Sequence, residues 1–196
     1  MSDPLSDEAD DAATPVTPDE RAQLIPTWIT TRAQLNLAEQ IGIADADRWA
    51  FRRKRDVLEE DFLLALHKRM LGGVWTWAGT VRTTERNIGI AAHQIGTALR
   101  ALMGDARYWI ENNTYGRDDI AVRYHHRLVA IHSFPNGNGR HARLAADLLV
   151  VSLGGERFTW GSASLIEAAE TRARYIAALK AADNHDIGPL IAFARS

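Results

Sequence analysis

The chain predicts a mostly α fold, a helical bundle interrupted by one short β-hairpin flap, and three observations carry that expectation. From about Thr30 onward apolar residues recur at intervals of three and four, the period of a helix with one buried face. Residues 79–90, "GTVRTTERNIGI", break that pattern, leading with β-branched Thr80, Val81, Thr83 and Thr84 into a polar turn before Asn87, Ile88, Gly89 and Ile90. No repeat of fixed period appears, which sets aside a solenoid.

Each element follows from local signals. Thr30 or Thr31 caps a first helix carrying Leu35, Ala38 and Glu39, and a second from Asp56 places Leu58, Phe62, Leu66 and Met70 on one face. Gly72-Gly73 ends the second, and Trp75 and Trp77 follow. Helix resumes near Gln94 with Ile95, Leu99 and Met103, with a break expected at Gly104 before Trp109. Asp118 to Ile131 presents Ile120, Tyr124, Leu128 and Ile131 on one face. The next helix is apolar nearly all round, with Leu144, Leu148 and Val151 beside Ala145, Leu149 and Ser152, and so belongs at the centre of the domain. Ser164-x-x-Glu167 reads as a capping box for a helix to about Lys180, and Asp186 caps a last one through Phe193.

Composition bounds the partners. The chain has 196 residues, 46% of them apolar, and a formal charge of −2, enough for one domain with a real core and nothing that forces a nucleic-acid or membrane role. It has no cysteine, which excludes disulfides, thiolate metal sites and a cysteine nucleophile, and points to a cytoplasmic protein. No secretory signal pattern opens the sequence, and the run from Leu144 to Leu153 is interrupted by Asp147 and too short to span a bilayer. Seven of the 25 acids lie in residues 1–20, which hold no Lys or Arg, so the other 176 residues carry 18 acids against 23 bases. With Pro4, Pro15 and Pro18 among small polar residues, residues 1–20 read as an acidic, disordered tail, leaving 21–196 as the folded domain.

The chemistry concentrates in "IHSFPNGNGRHARL", residues 131–144. Pro135 pushes Phe134 out of the helical region and opens a loop. Gly137 and Gly139 admit backbone conformations that let the N–H groups of residues 137–139 converge, and a helix starting at about Arg140 puts them at its positive end. Converging amides at a helix N-terminus make an anion site. Arg140 and Arg143, three apart on that helix, add guanidinium forks suited to phosphate. His132, on the other lip of the loop, titrates near neutrality and can take a proton from a hydroxyl. Base, anion cradle and two arginines together read as phosphoryl or nucleotidyl transfer.

That run resembles the signature of the Fic family, His-x-Phe-x-acid-Gly-Asn-Gly-Arg-x-x-Arg, matching at His132, Phe134, Gly137, Asn138, Gly139, Arg140 and Arg143. "LHKRMLGGVWTWAGTVR" (66–82) is similar to the family's helix and Trp-Ala-Gly entry to its flap, and "YIAALKAADNHDIGPLIAFA" (175–194) to its C-terminal helices, so the resemblance covers about residues 30–194. Within the family the chain looks most like the short proteins called mobile mystery protein B, carried on mobile elements beside a helix-turn-helix partner.

The resemblance implies a single Fic-type domain that transfers AMP from ATP to a hydroxyl of a target protein. His132 would be the general base and Phe134 the loop's anchor in the core. The amides of Gly137, Asn138 and Gly139 would hold phosphates, with Arg140 and Arg143 on the β- and γ-phosphates. The flap, through Thr83, Thr84, Asn87, Ile88 and Gly89, would pin the target segment by strand addition. Glycine at 139, where the Doc-type phosphotransferase branch has lysine, favours the AMP-transferring orientation of ATP.

Two departures qualify it. Where the family has an acid for Mg²⁺ the chain has Asn136, whose amide oxygen can ligate a hard cation without supplying charge, so metal binding should weaken or lean on the phosphates of ATP. The family's inhibitory glutamate motif has no full match. The nearest candidate is Glu39 in "LNLAEQIGI", on a helix of about 30–53, expected to pair with Arg143. A silent Fic-fold binding module and a DNA-associated protein using Arg52-Arg53-Lys54-Arg55 are the rival readings, though nearby Asp45, Asp47 and Asp56 make that basic run read as a solvated face rather than a nucleic-acid patch. His67, His125 and His126 lack metal-ligand spacing and are expected on helix faces, with His141 exposed.

Overall fold

The computed structural model describes residues 21–162 and 168–196; the acidic tail and the Ser164–Glu167 capping box lie outside the described residues. Among the described residues seven helices follow one another: α1 (Arg32–Phe51), α2 (Glu60–Leu71), α3 (Ile95–Glu111, entered through a 3₁₀ turn at Ala92–Gln94), α4 (Arg117–Ile131), α5 (Asn138–Ser152), α6 (Ala168–Asp183) and α7 (Gly188–Arg195).

Local chemistry sets most boundaries. Thr31 caps α1, its side chain accepting the Gln34 N–H while the Gln34 side chain reaches back to the Thr31 N–H, a complete capping box. Asp56 does not start α2; its carboxylate accepts the Leu58 N–H at 2.9 Å in a tight turn, which delays the helix to Glu60. Gly104 does not break α3, which runs through it to Glu111. Asp186 is not the cap of α7: Ile187 holds that position, and the Asp186 carboxylate, one residue further out, accepts the Gly188 N–H at 3.1 Å.

The α4–α5 pair is the centre of the bundle and its most extensive helix contact. Ala121 on α4 and Ala142, Ala145 and Ala146 on α5 are fully buried, small enough to let the two backbones approach closely. Tyr124 is buried too, its hydroxyl donating to the Val57 carbonyl at 2.8 Å. The apolar face of α2 is Leu63, Leu66, Met70 and Leu71 together with His67, one step round from the face the sequence suggested, so Phe62 lies at its edge and stacks on Trp49 of α1. At the far end of α5, Val151 and Ser152 are exposed rather than packed. Arg157 bridges Asp47 of α1 (2.6 Å) to Asp147 of α5 (3.3 Å), tying α1 to the core.

The expected hairpin is absent: residues 79–90 form an irregular loop with no strand pairing, and the one isolated bridge among the described residues joins Leu24 to Trp75. The reason is a side chain. The Arg82 guanidinium takes the carbonyls of Thr84 and Ile90, the groups that a ladder would have paired with the opposite limb.

Candidate active site

The loop between α4 and α5 is shaped by left-handed backbone at both ends. His132 closes α4 in that conformation (φ 55°), its N–H donating to Leu128, and Gly137 precedes α5 in the same region (φ 78°). A side chain at Gly137 would meet the Leu71 Cδ1 at 2.6 Å, so glycine is favoured there by conformation and spares the buried Leu71 side chain a shift. Between them, the buried Asn138 side chain accepts the Phe134 N–H at 2.9 Å and donates to the Phe134 carbonyl at 2.8 Å, closing the loop like a piece of backbone. Phe134 is 2% exposed and stacks on His67 at 3.7 Å, in keeping with the anchoring role the resemblance implies.

His67 completes this floor. Its Nδ1 accepts the Gly79 N–H at 2.9 Å, which places the proton on Nε2, and Nε2 donates to the Asn136 carbonyl at 3.1 Å. Burial first, and then the neighbouring His141, push its pKa to about 3. His141 is not exposed: it is buried, donating from Nε2 to the Leu63 carbonyl at 3.0 Å, and burial holds it to about 4. His125 is also interior, its Nε2 hydrogen-bonded with the Tyr175 hydroxyl at 3.0 Å and its pKa lowered well below normal by burial. His126 alone among these reaches a carboxylate, donating to Asp183 at 2.8 Å. His67, His125 and His141 are buried and pack like aromatic residues, each with one ring nitrogen bonded locally, while the His125 Nδ1 has no partner among the described residues. Among the described residues no cluster of three or more His, Asp or Glu side chains could hold a metal.

A single cleft gathers His132, residues 136–140, Arg143 and Glu39, bordered by Ile88, Gly89 and Ile90 of the flap segment. Thr83, Thr84 and Asn87 are exposed and do not border it. The α5 helix begins at Asn138, two residues earlier than the sequence suggested, so the N–H groups of Asn138, Gly139 and Arg140 lie in the first turn, where no intrahelical acceptor exists. They face an anion-attracting helix end. The Gly137 N–H is not part of that set, because the Asn136 side-chain oxygen accepts it at 2.6 Å.

His132 is half-buried, and its pKa is held to about 4 by burial first, then by the charges of Arg82 and Arg86, against an opposing pull from the Val129 carbonyl. At neutral pH its ring is uncharged and able to accept a proton. Gly89 makes that arrangement possible: it has φ 93°, and a Cβ there would lie 2.4 Å from the His132 Cβ.

Glu39 meets Arg140, not Arg143. Its carboxylate is buried, one oxygen accepting the Trp75 indole N–H at 2.8 Å and the other pairing with Arg140 at 2.6 Å. The two arginines leave α5 in different directions, Arg140 toward α1 and Arg143 toward the Tyr175 ring of α6, 5.4 Å away. Sequence reading missed Trp75 and His67 as site supports, although His67 lies four residues after Leu63 and three before Met70, spacing that puts it on the buried face.

This is a helical scaffold presenting an uncharged histidine across a cleft from a helix N-terminus flanked by two arginines, the construction of a nucleotide- or phosphate-handling site. The Fic/DOC family profile matches residues 57–150. Protein adenylyltransferase fic-1 of Caenorhabditis briggsae is 31% identical over 137 residues, 68% of this chain and 26% of that protein. The structure of a Fic-1 fragment from C. elegans has a TM-score of 0.68 at 26% identity, covering 90% of this chain and 51% of that one. The N-terminal Fic domain of a Bep effector from Bartonella quintana, solved with bound ADP, shares the fold (TM-score 0.66, 17% identity, 86% of each chain). The chain belongs to the Fic/DOC family. It spans about a quarter of the length of the curated relative it matches. Among the described residues no helix is long and apolar enough to cross a membrane.

Proposed function

We propose that this chain transfers AMP from ATP to a hydroxyl of a target protein, in the cytoplasm as its lack of cysteine suggests. The observation that carries this is the juxtaposition of neutral His132 with the first turn of α5 and Arg143 in one cleft; relatives named protein adenylyltransferase support it. In this reading the target hydroxyl attacks the α-phosphorus and gives its proton to His132 as the bond to pyrophosphate breaks. The helix amides and arginines take up the charge that develops on the departing group.

The residues present do not fit a protein-held Mg²⁺. Asn136 stands where an acid would bind it, and its side-chain oxygen is engaged by the Gly137 N–H. Magnesium then enters as the counter-ion of ATP, held by the phosphates, and none of the roles given to this chain's residues depends on it. The same contact favours a second reading, a nucleotide-binding module without transfer activity.

Labelled ATP separates the two. Incubated with cell lysate, the chain should move label from the α-phosphate, and not from the γ-phosphate, onto protein, and His132→Ala should abolish it. Nucleotide binding without any transfer by the unaltered chain selects the binding module instead. The Glu39–Arg140 pair supports Glu39 as an internal occupant of an arginine that phosphate needs. Glu39→Gly should therefore raise automodification by about tenfold or more, the scale of one charged contact removed; an unchanged rate removes the inhibitory role.

A further inference from the structure

Among the described residues Arg82 is the one buried arginine, and the proposed reaction does not explain its role. It is 3% exposed, and among the described residues no carboxylate pairs with it. A guanidinium stays charged inside a protein, and burying it is unfavourable unless hydrogen bonds replace water. Three carbonyls do so here: Nε donates to His132 at 2.7 Å, and the two terminal nitrogens donate to Thr84 at 2.9 Å and Ile90 at 2.5 Å. Its own N–H donates to the Ser133 carbonyl at 2.9 Å. The His132 carbonyl lies at the C-terminus of α4, the negative end of that helix, which favours a cation beside it.

These acceptors come from opposite sides of the cleft's rim. Thr84 and Ile90 are the two limbs of the flap segment, while His132 and Ser133 belong to the motif loop. One side chain therefore joins the limbs to each other and both to the base, in a segment that has no ladder of its own. Gly89 shows how close the join is: a Cβ there would sit 3.0 Å from an Arg82 nitrogen as well as against His132.

We infer that Arg82 is a positioning residue that sets the height of the flap over His132, and with it where a hydroxyl-bearing segment lying on the flap meets the base. The inference rests on the reading of His132 as that base. Arg82 acts through His132 and the flap carbonyls and touches neither nucleotide nor target. The charges bearing on His132 are Arg82 and Arg86, both from the flap segment, while from α4 it receives only the Val129 carbonyl. Removing Arg82 therefore raises the His132 midpoint both by removing a charge and by exposing the ring, and a substitution that keeps the charge separates the two.

The test uses the full chain with Arg82→Gln and Arg82→Lys. In the glutamine variant the His132 titration midpoint, followed by NMR, should rise from about 4 toward the ordinary 6.5. Amide exchange over residues 83–90 should quicken by about tenfold or more, the mark of a loop that has lost its tie. ATP affinity should stay within about twofold, while transfer at saturating ATP falls by about tenfold or more. The lysine variant keeps the charge and loses the fork, so its midpoint should stay low while exchange over 83–90 still quickens. Should the glutamine variant not fold, the lysine variant decides: flap exchange at the unaltered rate overturns the inference, as do an unmoved midpoint and unmoved exchange in the glutamine variant. Absence of transfer by the unaltered chain would count against adenylylation alone, since midpoint and exchange are read on the resting protein.

Discussion

The two sides of the cleft are built on opposite plans. Its floor is held many times over: Asn138 brackets Phe134, Phe134 stacks on His67, and His67 joins the Asn136 carbonyl to the Gly79 N–H. Its rim, the flap segment, is exposed over Thr83, Thr84, Asn87 and Ile88 and is tied by side chains of its own, the Arg82 guanidinium on the Thr84 and Ile90 carbonyls and the Glu85 carboxylate on the Ala92 N–H at 3.0 Å. For the proposed transfer, amides that hold phosphate in fixed directions would gain from a floor with no freedom, while a rim that admits a target protein would gain from having little to unmake.

Breaking the floor should have the largest effect. Phe134→Ala removes a buried ring stacked at 3.7 Å and should lower unfolding free energy by about 3–5 kcal/mol in urea. A loss below about 1 kcal/mol would mean that the floor is not held as described.

Acid should come next, through the histidines. His67 and His141 titrate at about 3 and 4 in the folded chain and His125 well below normal, against 6.5 when unfolded. The unfolded chain therefore binds more protons between those values, and stability is full above about 6.5 and is lost as pH falls toward 4. Asp147, raised by burial, acts in the opposite sense but as one group against several. The melting temperature should drop steadily across that window, and a flat profile would show that these rings are not interior bases. The mechanism is specific to the floor, because a protonated His67 can no longer accept the Gly79 N–H.

The rim should show the smallest stability effect and a separate functional one. Gly89→Ala puts a Cβ 2.4 Å from the His132 Cβ at a φ of 93°, yet little of the core rests on the flap. About 1–2 kcal/mol of stability should be lost, less than for Phe134→Ala, while label transfer falls sharply. Equal losses in both would erase the distinction between floor and rim.

Much of this was legible in the sequence because it depends on local rules. The glycines and proline of the motif, the Thr31 cap and the central helix after Arg143 follow from backbone preference and periodicity, while the burial of Phe134 was legible only through the family resemblance. What was not legible depends on contacts between distant residues. Glu39 faces Arg140 rather than Arg143 because of how α1 crosses α5, over a separation of 101 residues. The hairpin reading failed because β-branched residues mark extended backbone but do not say what its carbonyls bind; here an arginine took them. His141 seemed exposed because it fills a variable position of the motif, although on a helix buried nearly all round a variable position is still an interior one.

His132 ends α4 with left-handed backbone, a conformation in which glycine or asparagine is the more comfortable residue. Abundance and activity therefore rank substitutions there in opposite order. A library screened for soluble yield should enrich Gly or Asn at 132, and the same library screened for label transfer should discard both. If His132 is the base we propose, position 132 is where this chain gives up folding stability for chemistry.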